Sequence, residues 1–252
     1  MKCTFLGTGT SMGVPVAGGF GREMINKDPR NQRYRCSVWM QTEESSVVID
    51  VGPEFRLQSI RSNIQRIDLV LITHEHMDHI AGLDDLRSYN YMQSGAIPVL
   101  STKKGIESIL SRFDYMFGEN RYPGSTLLDL DVISEPFQFH DMHITPLPYK
   151  HGDVDVMGYR VNDFSYMTDV KFIPDSTKEK VKGSKALVLS GLRWGPEHPT
   201  HLTIPEAVNV ARELDIPKTY LIHMNSYVDH EESNKRLPEN VRLAYDQLEI
   251  TV

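Results

Sequence analysis

Apolar residues along this chain come mostly in short β-branched or aliphatic runs. In the first half such runs fall at Lys2 to Leu6, Ser37 to Gln41, Val47 to Asp50, Leu69 to Thr73 and Ile97 to Leu100, and each predicts a strand. Helical spacing enters at Lys104 to Tyr115. The second half returns to strands near Leu127 to Ile133, His143 to Leu147, Met157 to Val161, Phe164 to Thr168 and Ala186 to Leu189. A last one, Thr219 to Ile222, runs directly into His223. The best-marked helix starts after Thr203, which can cap it with Glu206 three residues on, while Ala207, Val208, Ala211 and Leu214 share one face. Strands with helices between them predict a layered α/β (α+β) architecture, and periodicity alone does not choose the topology. With no repeat, low-complexity stretch or Pro/Gly-rich linker, residues 1–252 are expected to form a single domain.

Composition narrows the functional classes. The chain is 40% hydrophobic and 24% charged, an ordinary globular balance. Its 27 Lys and Arg against 34 Asp and Glu give a net charge of 27 − 34 = −7, and no basic run forms a stripe, which argues against an extended nucleic-acid surface. The N-terminus MKCTFLGTGTS has no export-type apolar stretch, and no run approaches bilayer-spanning length. A cytoplasmic protein with no membrane association is therefore expected. Cys3 and Cys36 are too few for a disulfide framework or a tetrathiolate metal site, and a reducing compartment fits them.

The chemistry concentrates in LVLITHEHMDHIAGLDDL. His74, His76, Asp78 and His79 are four potential ligands in six residues, placed where a buried strand leaves its sheet. In extended chain His74 and His76 point to one side and can share an ion, whereas Asp78 and His79 open a new turn and can face a second. This run resembles the HxHxDH motif of the metallo-β-lactamase superfamily, whose fold is a four-layer αββα sandwich with the metals at one sheet edge. The resemblance extends along the chain. Asp50 in VVIDVGPEF is similar to the family's aspartate behind the ligands, His151 in YKHGD to its third metal histidine, Asp169 in YMTDV to the bridging carboxylate, and His223 in LIHM to the last ligand. It implies one metal on His74, His76 and His151, a second on Asp78, His79 and His223, and Asp169 between them. Each of these residues also follows an apolar run, as a ligand at a strand end would.

Two divalent ions so placed would hold a bridging hydroxide at neutral pH, with Asp78 orienting it and Asp50 fixing a ligand histidine's tautomer. Zinc suits the histidines, and manganese or iron is compatible with the carboxylates. A leaving oxygen still needs a proton. His198 and His201, in GPEHPTHLTIPEA, precede the capped helix, whose free N–H groups and positive end would meet a substrate anion. HPTHLT is similar to the segment carrying the phosphate-binding, proton-donating histidine in phosphodiesterases of the superfamily, with His201 the expected donor. Arg193, in SGLRWGPEH, is a further candidate for pairing with a phosphate.

LGTGTSMGVPVAGG, DPRNQRYRCS and the closing LIHMNSYVDHEESNKRLPENVRLAYDQLEI resemble the branch containing the phosphoribosyl cyclic phosphodiesterase of phosphonate breakdown. That branch often carries a structural zinc on a CxCxxC run and a later histidine. Here those positions are Gly19, Gly21, Met24 and Ser226, so no structural zinc site is expected. Transfer-RNA 3′-processing endonucleases share the metal motifs but carry a long arm between the third histidine and the bridging aspartate, where this chain has 169 − 151 = 18 positions. The expectation is a dinuclear metal-dependent phosphodiesterase acting on a small cyclic phosphate or nucleotide-like diester. The alternatives are a lactone, thioester or amide hydrolase, and a non-catalytic metal- or metabolite-binding protein. The oligomeric state is open, a homodimer included.

Overall fold

In the computed structural model, which describes residues 1–119 and 121–252, the short apolar runs become the strands of two facing sheets. The strands are β1 (Lys2–Gly7), β2 (Ser37–Gln41), β3 (Ser46–Ile49), β4 (Leu69–Leu71), β5 (Ile97–Ser101), β6 (Leu128–Val132) and β7 (Phe137–Phe139). They continue as β8 (Met142–His151), β9 (Val154–Val161), β10 (Phe164–Met167), β11 (Ala186–Ser190), β12 (Lys218–Ile222), β13 (Val241–Leu243) and β14 (Glu249–Thr251). One sheet has the order β14-β1-β2-β3-β4-β5-β6 and the other β13-β12-β11-β10-β9-β8-β7. The helices are α1 (Arg22–Lys27), α2 (Phe55–Arg61), α3 (Met77–Ile80), α4 (Arg87–Gln93), α5 (Lys103–Arg112), α6 (Asp175–Val181), α7 (Ile204–Glu213) and α8 (His230–Asn234).

The central strands are apolar at every position because both faces are buried. β3 sends Val47 and Ile49 between the sheets and Val48 outward, and β11 sends Ala186 and Val188 inward, Leu187 and Leu189 outward. Phe55, Tyr89 and Ile109 of α2, α4 and α5 cover the outer face of the first sheet, while Val181, Ile204, Ala207 and Ala211 of α6 and α7 cover the second. The result is the four-layer αββα sandwich. Each Val, Leu or Ile so enclosed contributes roughly 1.5–3 kcal/mol relative to exposure, so the layers hold their strand ends rigidly.

Strand direction then decides where chemistry can sit. β3 to β6 are parallel, as are β10 to β13, and β8 runs with β10 because both are antiparallel to β9. Asp50, His74, His151, Asp169 and His223 thus all stand at carboxyl ends of strands, the usual place for a ligand crevice in such sheets.

The β8–β9 hairpin is longer than its apolar runs suggested, and it includes Pro146 and Pro148. The sheet tolerates them because β7 pairs β8 only as far as Ile144. Beyond that point residues of the same parity direct their N–H away from β9, as Lys150 does in donating to the Phe172 carbonyl at 3.0 Å. The prolines therefore lack a donor where no strand lies to receive one. α6 covers that edge, the Thr177 hydroxyl donating to the Pro148 carbonyl at 2.5 Å. The edge strands β7, β13 and β14, of three residues each, and the helices α1, α2, α4, α6 and α8, none longer than seven, were not anticipated, since neither length completes a readable period.

α7 is closed by the expected capping box: Thr203 Oγ1 accepts from Glu206 N at 3.4 Å, and Glu206 Oε2 accepts from Thr203 N at 2.7 Å. Thr203→Ala should lower unfolding free energy by about 1 kcal/mol in a urea titration, and no shift in the midpoint would show that the helix is held by packing alone.

Candidate metal centre and active site

Three residues enter the site from backbone that side chains rarely adopt. Asp50 (φ 62°), Asp169 (φ 55°) and His223 (φ 61°) lie in the left-handed region immediately beyond their strands. Each such conformation costs of order 1–3 kcal/mol, and it turns the side chain off the strand line. Asp50 is fully buried. Its Oδ1 accepts from Thr73 N at 2.8 Å, and its Oδ2 lies 2.7 Å from His79 Nδ1. Behind it, Val51 N donates to the His79 carbonyl at 2.8 Å, and a Cβ on Gly52 would stand 2.3 Å from the Asp78 carbonyl, so this approach requires glycine.

The outer nitrogens of three histidines are occupied by the protein. His79 Nδ1 is on Asp50, His74 Nδ1 is 3.0 Å from Thr73 Oγ1, and His151 Nδ1 donates to the Thr200 carbonyl at 2.7 Å. Their Nε2 atoms are thereby left for the pocket. His74 Nε2 meets His76 Nδ1 at 2.9 Å. His79 Nε2 lies 3.2 Å from Asp78 Oδ2 and 3.3 Å from Asp169 Oδ2, while Asp169 Oδ1 lies 3.0 Å from His223 Nε2. The structure therefore brings together all seven residues read as ligands in the sequence, with Asp50 behind them. Glu75, between His74 and His76, turns away to Lys104 of α5 at 2.5 Å.

The electrostatics fit a cation. Nε2 of His79 and of His223 meet only carboxylates, without hydrogen-bond geometry, His223 Nδ1 is buried without a hydrogen bond, and His74 Nε2 and His76 Nδ1 face each other at 2.9 Å, where one cation can take both. Each unsatisfied buried group costs about 1–3 kcal/mol. Burial drives His74 well below the usual histidine range, keeping it neutral. Burial also depresses His79, but Asp50, Asp78 and Asp169 together overcome it and raise its pKa well above the ordinary value. A proton on His79 thus supplies positive charge where a divalent ion held there would. Asp169 stays ionised: its burial is outweighed by His223 and His79.

The grouping of donor atoms differs in detail from the division expected. His74, His79 and Asp169 offer atoms within 4.8 Å of one another, and so do His151, Asp169 and His201. Asp169 belongs to both groups, but His74 and His79 share one, and His201 stands within ligand distance, its Nδ1 3.6 Å from Asp169 Oδ1. His201 stacks on His223 with ring centroids 4.7 Å apart. Burial, with His223 adding to it, pushes its pKa down to about 3. His198 lies farther out, 5.0 Å from His201 between centroids, its Nδ1 3.2 Å from Thr200 Oγ1.

Two expectations for this loop are not met. The first turn of α7 has no free N–H for an anion: Ile204 N donates to the Arg193 carbonyl, Glu206 N to Thr203 Oγ1, Ala207 N to the Thr203 carbonyl, and residue 205 is proline. The guanidinium of Arg193 is also engaged by its own loop, donating to the carbonyls of Pro196 and Glu197 at 3.0 and 3.3 Å. Thr73 and Thr200 also hold the ligand histidines and are not among the residues expected from the sequence. Thr73, the residue before the motif, carried a signal in its hydroxyl, whereas Thr200 acts through its carbonyl and leaves none. His140 and His143 are exposed, and His230 is buried at the start of α8 with Nδ1 3.5 Å from Arg33 Nη2.

The comparisons with known proteins agree with this architecture. The family model described as "Beta-lactamase superfamily domain" matches residues 45–224. The crystal structure of a diphosphatase from the PhnP family superposes with a TM-score of 0.91 at 34% identity, covering 100% of this chain and 97% of that one. Ribonuclease Z of Treponema denticola is 23% identical over 81% of this chain and 86% of its own length. A Porphyromonas gingivalis protein named octanoyltransferase is 36% identical over 100% of this chain but only 52% of its own, so the chain spans about half the length of that relative. The fold and donor set are those of a metal-dependent hydrolase. The chain belongs to the metallo-β-lactamase superfamily and is related to the PhnP family. Among the described residues no helix is long and apolar enough to cross a membrane.

Asp50→Ala removes the acceptor that fixes His79, so divalent-metal affinity, read by chelator competition, should fall about 10- to 100-fold. Chelation of the wild-type protein should lower its melting temperature, and added Zn2+ should restore it; an unchanged melting temperature would mean that the cluster is stable on its own protons.

Proposed function

We propose that the cluster holds two divalent cations, zinc by its donor chemistry, and that the protein hydrolyses a phosphodiester bond in a small cyclic phosphate or nucleotide-like substrate. The observation that supports this most is the position of Asp169, a buried carboxylate common to both groups of ligand atoms. In this reading His74, His76 and His151 serve one cation, Asp78, His79 and His223 the other, and Asp169 both. Manganese or iron would suit the carboxylates as well. A pair of divalent ions, when bound, supplies a water made reactive near neutral pH and positive charge facing the oxygens of the group attacked.

The chain's own residues account for the rest. Asp78, a partly buried carboxylate beside His79, orients the attacking water, and Asp50 keeps His79 in the tautomer that presents Nε2 to the pocket. His201 is neutral before substrate arrives because it is buried among other histidines. A phosphate anion entering beside it raises its basicity, so that it can take up a proton and pass it to the leaving oxygen. His198, half-buried and outside His201, contributes to holding the anion. The diphosphatase activity named for the structural relative and the ribonuclease activity named for the more distant ones both break phosphorus–oxygen bonds, in keeping with this reading.

Metal-loaded protein should hydrolyse bis(p-nitrophenyl) phosphate. Asp169→Ala should abolish turnover, and His201→Ala should reduce kcat about 10²- to 10⁴-fold, with His198→Ala acting mainly on KM. Absence of turnover with every divalent metal would overturn the assignment, and full retention of activity in His201→Ala would redirect it to an ester without a phosphate partner.

A further inference from the structure

The ligands are polar, but the segments that carry them, and those tied to these, bear exposed apolar side chains. Met12, Phe20, Met77, Phe172 and Tyr227 are all large, apolar and exposed. Met77 directly precedes Asp78, and Phe172 follows Asp169 by three residues and bridges to Lys150, the neighbour of His151. Tyr227 follows His223 by four residues, on a turn tied to the histidine-bearing loop by Asn225 N donating to the Leu192 carbonyl at 3.1 Å. Thr10 N donates to the Met224 carbonyl at 3.1 Å, which brings the start of the N-terminal loop to the same wall.

Two of these side chains touch. The rings of Phe20 and Tyr227 meet edge to face with centroids 5.3 Å apart and planes at 62°, although 54% of Phe20 and 71% of Tyr227 are exposed. Core burial therefore does not explain the pair, and much of both rings stays exposed. Its position is fixed by the backbone on both sides. Gly18, Gly19 and Gly21, all near φ 91–92°, hold Phe20 at the tip of its loop, which Val16 N closes onto the Phe20 carbonyl at 3.1 Å. A Cβ at Gly21 would stand 3.0 Å from the Ser226 Cβ, so the two segments lie in contact. Tyr227 N donates to Asn225 Oδ1 at 3.0 Å.

We propose that Phe20 and Tyr227 form a stacking platform for a planar base carried by the substrate beyond its phosphate, so that the substrate class is a single nucleoside phosphodiester. This rests on the phosphodiesterase reading above and adds the group that would determine specificity. Exposed aromatic rings on segments tied by backbone hydrogen bonds to the one that carries His223 match a nucleoside, since every base has a π-face to stack. The net charge of −7, with no basic stripe to follow a backbone, limits the ligand to one nucleoside rather than a strand.

The test compares adenosine 2′,3′-cyclic phosphate with base-free ribose 2,3-cyclic phosphate, using metal-loaded protein and hydrolytic opening of the cyclic phosphate to the monoester followed by 31P NMR. Phe20→Ala and Tyr227→Ala should each reduce the preference for the adenosine substrate, as a ratio of kcat/KM values, about tenfold, with the change carried by KM. Phe20→Trp and Tyr227→Phe should keep that ratio. Titration calorimetry of adenosine monophosphate against ribose 5-phosphate reads the platform without turnover, and the alanine variants should narrow the difference in affinity by a similar factor. Equal losses on both substrates, an unchanged ratio, or a wild-type protein that does not distinguish base from no base in either assay would overturn the platform. Loss of octanoyl-thioester hydrolysis in the same variants, with no effect on the nucleoside ligands, would overturn it in favour of an acyl-binding rim. Wild-type selectivity for adenosine monophosphate without hydrolysis of any diester would leave the platform standing and remove the reaction assigned to the site.

Discussion

The buried carboxylate of Asp50 joins the fold to the chemistry. It ends β3, accepts from the backbone and hydroxyl of Thr73 beyond the adjacent β4, and grips the outer nitrogen of His79 at 2.7 Å. Sheet pairing alone would set the height of the two strand ends without fixing any ring orientation. Through Asp50 the position of the sheet becomes the orientation of an imidazole, and His79 in turn faces Asp78 and Asp169 from the opposite layer. A fully buried carboxylate would ordinarily be costly. Here burial raises its pKa, while His79 and the Thr73 donors favour its ionised form.

The same arrangement explains why backbone strain collects at this edge. Asp50, Asp169 and His223 all adopt left-handed conformations where their strands stop. A strand continued in regular geometry would carry the next side chain along the sheet face, into the apolar layers. The left-handed residue instead redirects it across the gap between the sheets. The rigid sandwich absorbs the cost, because its paired, doubly buried strands have little freedom to relax.

Much of this was readable in the sequence, for specific reasons. A run of Leu, Val and Ile ending in a cluster of His and Asp carries both its burial and its ligands in side-chain identity, so the motif at His74 to His79 and the partners at Asp50, His151, Asp169 and His223 stood out, and their residues meet. What depended on the backbone was not readable. The carbonyls of Thr200 and Arg193 do their work without any side-chain trace, and the second of them uses a helix N–H that the sequence suggested was free for an anion. The engagement of Arg193 by its own loop is likewise a matter of backbone geometry. The prolines of β8 weakened its strand signal because their tolerance depends on a neighbouring strand being absent.

Those prolines have a further consequence. The open flank of β8 would otherwise present a row of donors and acceptors to any extended chain that came near. Pro146 and Pro148 delete alternate donors from the row, and α6 lies over carbonyls that remain. The long hairpin can therefore extend to deliver His151 to the metal centre without becoming a template for intermolecular strand addition and aggregation.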